Sequence, residues 1–224
     1  MPFIDRSDAG RGLAHALAKY KGQRPVVLAL PRGGVPVAAE IAIALQAPLD
    51  LILVRKLGVP MQPELAMGAV VDGATPLVVR NDDVIRMAGI EEPEFEAVCS
   101  RELAEIGRRR QRYLGGRERV DVAGRTAIIV DDGIATGATM RAALRATRQR
   151  SPARLVLAVP VAPTDTIAAM RQEADDVVCL EDYDAFGAIG LYYSDFCQIS
   201  DEEVVEILRS FSTERYPPRR KPAA

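Results

Sequence analysis

The chain has 224 residues, 48% of them hydrophobic, so it can bury a full core as one domain with elaborations. Its 29 Lys and Arg nearly balance 31 Asp and Glu, and a net charge of -2 excludes a global electrostatic pull toward nucleic acid or an anionic membrane. Cys99, Cys179 and Cys197 are odd in number, far apart and free of C-x-x-C spacing, which argues against a disulfide framework or zinc site and fits a reducing cytoplasm, while the charged start from Met1 to Asp8 and the lack of a long apolar run argue against a signal peptide or membrane span.

Ser7 to Tyr20 carries Leu13, Leu17 and Tyr20 at helical intervals, and Gly22 follows as a stop, so a first helix is expected. Its His15 is the sole histidine and reads as an ordinary helix residue. Pro25 to Leu30 is an apolar strand that runs straight into Pro31-Arg32-Gly33-Gly34, after which Val37, Ile41, Ala44 and Leu45 mark a helical face. Gly33 and Gly34 let backbone N–H groups approach a ligand without Cβ interference, and Arg32 adds a fixed positive charge. Leu49 to Val54 reads as a third strand ending in Arg55-Lys56, two cations that would face the same ligand edge of a parallel sheet. Glu64 to Val71 and Leu77 to Val79 look like short strands, a hairpin addition.

From residue 81 to 119 a helical insertion is expected. Phe95, Cys99, Leu103, Ile106 and Tyr113 trace its apolar stripe, acids crowd its start and Arg108, Arg109, Arg110 and Arg112 crowd its end, an order that matches the helix dipole. It is long enough for a lid or a subunit contact, which makes a homo-oligomer compatible with the sequence.

Ala127 to Met140 is the stretch around which the rest is organised. A β-branched run ends in Asp131-Asp132, a loop with Gly133 and Gly137 follows, and Met140, Ala143, Leu144 and Thr147 recur at helical spacing. Strand, loop and helix in that order place free helix-start amides at the carboxyl end of a strand, a site for an anion with hydroxyls beside it. The loop lacks the lysine of a nucleotide-hydrolysing phosphate loop, and its glycines do not fit a dinucleotide fingerprint. Strands at Arg154 to Val161 and Asp176 to Leu180, with a helix at Thr164 to Ala174 between them, extend a doubly wound α/β parallel sheet. Phe186, Tyr192, Tyr193 and Phe196 cluster within residues 185–199, as satellite core or as a surface that stacks on a flat ring. Ser200 and Glu203 form a capping box for a last helix, and residues 215–224 read as a basic tail beyond a single domain of residues 1–214.

Val130-Asp131-Asp132-Gly133-Ile134-Ala135-Thr136-Gly137-Ala138-Thr139 resembles the phosphoribosyl-pyrophosphate (PRPP) signature of type I phosphoribosyltransferases, near the form found in adenine phosphoribosyltransferases. The wider pattern, about residues 25–200, resembles bacterial members whose acceptor is not assigned. The resemblance implies that Asp131 and Asp132 bind the ribose hydroxyls and that Gly133 and Ala135, Thr136, Gly137, Ala138 and Thr139 wrap the 5'-phosphate. It implies a pyrophosphate loop at Arg32, Gly33 and Gly34 and a basic pair at Arg55 and Lys56. It also implies a magnesium ion held mainly by PRPP, with Asp131 and Asp132 as protein ligands, and a hood at 185–199 in which Ile134, Phe186 and Asp195 meet the acceptor. Ala135 stands where the 6-oxopurine enzymes of the family carry an acidic base, which disfavours hypoxanthine and guanine. The implied activity is transfer of the 5-phosphoribosyl group from PRPP to a nucleobase or amine in the cytoplasm, with pyrophosphate released. A PRPP-sensing regulator that binds RNA or DNA through the arginine run is the alternative, and the acidic pI near 5.6 weighs against it.

Overall fold

In chain order the elements are α1 (Arg6–Ala16), β1 (Pro25–Ala29), α2 (Gly34–Leu45), β2 (Leu49–Leu51), β3 (Val54–Val59), β4 (Gln62–Val71), β5 (Leu77–Arg80), α3 (Asp82–Ala88), α4 (Glu92–Leu114), β6 (Thr126–Val130), α5 (Ala138–Arg148), β7 (Arg154–Pro163), α6 (Thr164–Met170), β8 (Asp176–Tyr183) and α7 (Asp201–Arg209). They belong to a computed structural model that describes residues 2–73 and 75–211. The predicted tail at 215–224 lies outside the described residues.

Five strands form a parallel sheet in the order β2-β1-β6-β7-β8. Both β1 and β6 are buried along their whole length, which explains why they read as continuous apolar runs without alternation. Their side chains part to two sides. Val27, Ala29, Ile128 and Val130 pack with Leu13 of α1, Leu17 just beyond it and Ile41 of α2, whereas Val26, Leu28, Ala127 and Ile129 pack with Met140 and Leu144 of α5 and Met170 of α6. This is the doubly wound α/β architecture expected from the sequence.

The strand order reverses between β1 and β6, because the chain leaving β1 crosses to one side of the sheet and the chain leaving β6 crosses to the other. Their loops diverge at the carboxyl ends and leave a crevice, the place where open α/β sheets bind ligands.

The third predicted strand is corrected. The core strand β2 ends at Leu51, and Val54 opens β3, which pairs antiparallel with β4 in a separate three-stranded sheet ordered β3-β4-β5. Arg55 and Lys56 therefore sit inside this flap, and not at the end of a core strand. The insertion is helical as expected, as α3 and α4; α4 begins with a reciprocal Glu91/Glu94 capping box and a proline in its first turn. It buries Phe95, Val98, Ile106 and Tyr113 against the flap and α7. The predicted Ser200/Glu203 box also caps α7, with Glu203 N donating to Ser200 Oγ at 3.1 Å and Ser200 N to Glu203 Oε2 at 2.7 Å. Among the described residues no helix is long and apolar enough to cross a membrane.

Candidate active site

The loop after β6 is shaped by its backbone hydrogen bonds and leaves the first amides of α5 without helical partners. Ile134 N donates to Val161 O at 3.0 Å, which ties the loop to the neighbouring strand β7, and the Thr166 hydroxyl donates to Ala135 O at 3.1 Å. Gly137 turns the chain into α5 at a φ of 75°, in the left-handed region that favours glycine. The first bond of the helix runs from Arg141 N to Gly137 O at 2.8 Å, so the amides of Ala138, Thr139 and Met140 precede it and have no acceptor within the helix. Ala135, Thr136, Ala138 and Thr139 are exposed, as an anion-binding rim requires. Ile134 is not part of that rim. Its side chain is 2% exposed within the core beneath α5.

The turn after β1 lies directly on the two carboxylates that open this loop. A Cβ on Gly33 would stand 1.9 Å from Asp132 Oδ2, and one on Gly34 would stand 2.8 Å from Val130 O and 2.9 Å from Asp131 Cα. The sequence assigns these glycines to close approach by a ligand; the structure gives them a second reason, the close approach of one loop to the other. Arg32 reaches out of the turn toward Asp201 at the start of α7, at 3.8 Å, and the Asp201 carboxylate also accepts from Tyr113 Oη at 2.6 Å and pairs with Arg112 at 2.7 Å. Burial and this hydrogen bond push the Tyr113 hydroxyl up to about 12.

The two carboxylates differ in surroundings. Asp131 Oδ1 accepts the amide of Asp132 at 2.9 Å, and burial, followed by the charge of Asp132, pushes the Asp131 carboxyl well above the usual carboxylate range. Asp132 is 9% exposed and pairs through Oδ2 with Arg6 Nε at 2.8 Å. Its carbonyl accepts from Tyr193 Oη at 2.6 Å. Arg6 is a site residue that the sequence reading misses, for it stands 126 positions from its partner at the start of a helix of ordinary composition.

The remaining candidates are spread around this centre. Arg55 is held by Glu102 of α4, Nη2 to Oε2 at 2.7 Å, while Lys56 projects from the opposite face of β3 and pairs with Glu64 at 3.1 Å. Phe186 stacks on Tyr192 with ring centroids 4.9 Å apart, and Tyr193 packs on Phe196. The N-terminus completes this hood: Phe3 N donates to Tyr192 O at 2.9 Å and Ser194 N to Phe3 O at 2.8 Å. Asp195 is exposed and accepts from Cys197 N at 3.0 Å. Gly133 meets the hood so closely that a Cβ there would stand 2.6 Å from Ile189 Cγ2.

A cleft of about 650 Å³ opens between the flap and α5, with Arg80, Arg86, Arg141 and Arg145 on its walls. It touches the anion loop through Thr136 and Ala138, and Arg32, Gly33, Asp131 and Asp132 do not line it. Each arginine of the α4 run is paired with a carboxylate: Arg108 and Arg109 with Glu105, Arg110 with Asp72, and Arg112 with Asp201 and Glu202. The run is thus not a free cationic stripe of the kind a phosphodiester backbone needs.

The donor set suits magnesium of one kind. Asp131 and Asp132 offer at most two side chains, and among the described residues no group of three or more His, Cys, Asp or Glu gathers to hold a metal. Such a pair fits an ion carried in on substrate phosphates better than an all-protein cage.

Comparison with known proteins agrees with this geometry. Residues 6–196 match the family model described as phosphoribosyl transferase domain. Two Mycobacterium tuberculosis proteins, from strains CDC 1551 and H37Rv and provisionally named as phosphoribosyl transferases, are 52% identical over 206 residues, 92% of this chain and 46% of theirs. The chain thus spans about half the length of these curated relatives. The crystal structure of TT1426 from Thermus thermophilus is 42% identical, with a TM-score of 0.81 over 95% of this chain and 100% of that one. A strand-loop-helix anion cradle lying against a Gly-Gly turn at the sheet's switch point, together with a family match over most of the sequence, establishes that the chain belongs to the phosphoribosyl transferase family.

Proposed function

We propose that the protein transfers the 5-phosphoribosyl group from PRPP to a nucleobase or amine acceptor, in the cytoplasm, with release of pyrophosphate. The observation that carries this reading is the contact between the two loops at the switch point, Gly33 on Asp132 and Gly34 on Asp131. It supports a reading in which the amides that open α5, the Asp131/Asp132 pair and the Arg32-Gly33 turn serve one substrate bearing a phosphate, a ribose and a diphosphate.

In this reading the amides and hydroxyls of Ala135 to Thr139 hold the 5'-phosphate, and Asp131 and Asp132 accept hydrogen bonds from the ribose hydroxyls. Charge then builds on the departing pyrophosphate while the ribose C1 becomes cationic. The Gly33 amide, Arg32 and Lys56 stabilise that negative charge, while Gly34, whose amide donates to Leu30 O at 3.1 Å, lets the turn lie close to Asp131. Magnesium, bound chiefly to PRPP, would add charge neutralisation at the diphosphate. Arg55, engaged by Glu102, steadies the flap. Phe186 and Asp195 remain our candidates for acceptor contacts in the hood.

The hairpin tip between β3 and β4, Val59 to Pro63, is the segment to which we assign closure over the site. In support, α4 is anchored by its buried Phe95, Ile106 and Tyr113, whereas Met61 at the tip is 90% exposed. Closure would keep water from the ribosyl cation.

The test is pyrophosphate release from PRPP and magnesium with a panel of nucleobases and amines, together with PRPP affinity of Asp132→Asn and Thr139→Val. Both variants are expected to fold and to bind PRPP more weakly. Unchanged affinity in both would overturn the site, and protection of Val59 to Pro63 from protease by PRPP would support the lid.

A further inference from the structure

We propose that Arg6 is a positioning residue for the ribose-facing carboxylate, and that through it the hood and the first helix set how well the site binds PRPP. The inference rests on the reading of Asp132 as a PRPP contact. Its basis is the set of partners that one guanidinium holds. Arg6 Nε donates to Asp132 Oδ2 at 2.8 Å, Nη1 donates to Cys197 O at 2.8 Å, and the guanidinium carbon lies 3.9 Å from the centroid of the Phe196 ring. The side chain is 9% exposed. Arg6 therefore joins three parts of the chain, the start of α1, the end of the hood and the carboxylate of the PRPP motif.

The geometry divides the work of the Asp132 carboxylate. Oδ2 is taken by Arg6, and Oδ1 is the oxygen left for a ribose hydroxyl. A planar fork that is anchored at its second nitrogen and flat against a ring fixes the plane of the carboxylate that it pairs with. A lysine in the same place supplies the charge as a point on a flexible stem and lacks the rigid planar fork that fixes the carboxylate plane. Tyr193 adds a second link between the same parts, donating to Asp132 O, so the hood grips both the backbone and the side chain of this residue. None of these contacts needs a ligand, so the carboxylate is oriented before PRPP arrives.

Arg6 sits at the N-terminal end of α1, whose cap is the Asp5 side chain accepting from Asp8 N at 2.7 Å. This cap does not involve the guanidinium, and α1 packs along α2 through Leu13 and Leu17. Replacement of Arg6 is thus expected to leave the helix in place while it frees the hood.

The experiment measures PRPP affinity in the presence of magnesium by calorimetry for the wild type, Arg6→Met, Arg6→Lys and Phe196→Leu, and amide hydrogen exchange of the same proteins without ligand. Arg6→Met is expected to weaken PRPP by roughly 10- to 100-fold, by analogy with the loss when the partner that orients a metal-ligating side chain is removed. Arg6→Lys is expected to recover part of that loss, which a purely structural role would not predict. Phe196→Leu, which leaves both arginine hydrogen bonds in place, is expected to weaken PRPP by more than twofold but by less than Arg6→Met does, and it keeps the test open if Arg6→Met does not fold. In the ligand-free arm, Arg6→Met is expected to speed exchange in residues 189–197 and 131–134 while α2 and β7 keep their protection. PRPP affinity within twofold of wild type in a folded Arg6→Met or in Phe196→Leu, with hood exchange unchanged, would overturn the proposal. A wild type that does not bind PRPP, while Arg6→Met still frees the hood, would retire the PRPP reading and leave the brace between Arg6 and Asp132 supported.

Discussion

Gly33→Ala is the substitution that tests the contact between the two loops most directly. The backbone of Gly33, at φ -60° and ψ -35°, suits alanine, so any cost comes from the added methyl and not from its conformation. That methyl would stand 1.9 Å from Asp132 Oδ2 and 2.5 Å from Asp132 Cγ, so the carboxylate must retreat by about 1.1 Å to reach the 3.0 Å below which real contacts do not occur. Oδ2 is the atom that pairs with Arg6 at 2.8 Å, in a site where both side chains are nearly buried. Displacing one member of a buried pair leaves an uncompensated charge and costs about 3–5 kcal/mol. For a chain of this size that corresponds to a fall in Tm of roughly 6–20 °C. If the turn gives way instead, the crevice widens and PRPP loses its amide contacts. In either case PRPP affinity falls, by tenfold for each ~1.4 kcal/mol lost at the site. Calorimetric melting and PRPP titration, with Gly116→Ala as control, provide the assay, since nothing lies within 4 Å of a Cβ at Gly116. A Gly33→Ala protein that melts with the control and binds PRPP as the wild type does would refute the reasoning.

Asp131→Asn is expected to gain thermal stability over the wild type and to lose PRPP affinity. Burial and Asp132 raise the folded-state pKa of Asp131, so its contribution to stability is complete below an unfolded value of about 3.9 and fades as pH climbs through the folded one; a difference in Tm between the two proteins that does not grow as pH rises above about 3.9 would contradict this. Gly107→Ala, at a position in α4 with nothing within 4 Å of a new Cβ, should stabilise by roughly 1 kcal/mol, read as a rise in urea midpoint at constant m. Arg110→Ala should cost about 1–3 kcal/mol, because the side chain of its partner Asp72 is nearly buried but keeps Arg119, whereas Arg108→Ala, on the exposed side of Glu105, should leave stability nearly unchanged. Equal losses in urea titrations of the two arginine variants would mean that the run is a uniform surface feature after all.

The sequence by itself determined the elements whose signals are local. Continuous β-branched runs announced β1 and β6 because both strands are covered on two faces, and the Gly137 turn into α5 was legible because the residues that bend the chain lie next to those that start the helix. The capping box of α7 was legible for the same reason, its two residues being three apart. The doubly wound architecture followed from the alternation of such units. Tertiary structure alone decided which distant residues meet. Nothing near Val54 in the sequence says that it opens an antiparallel flap; that follows from its pairing with Val71, and it is why Arg55 turns to Glu102 and away from the core sheet edge. Ile134 looks like a rim residue in the motif but points into the core, since the loop amide it carries is tied to β7. Arg6 is the extreme case: an arginine at a helix start has no local pattern that names a partner 126 residues away, and only the packing of α1 and the hood around the switch point brings it to Asp132.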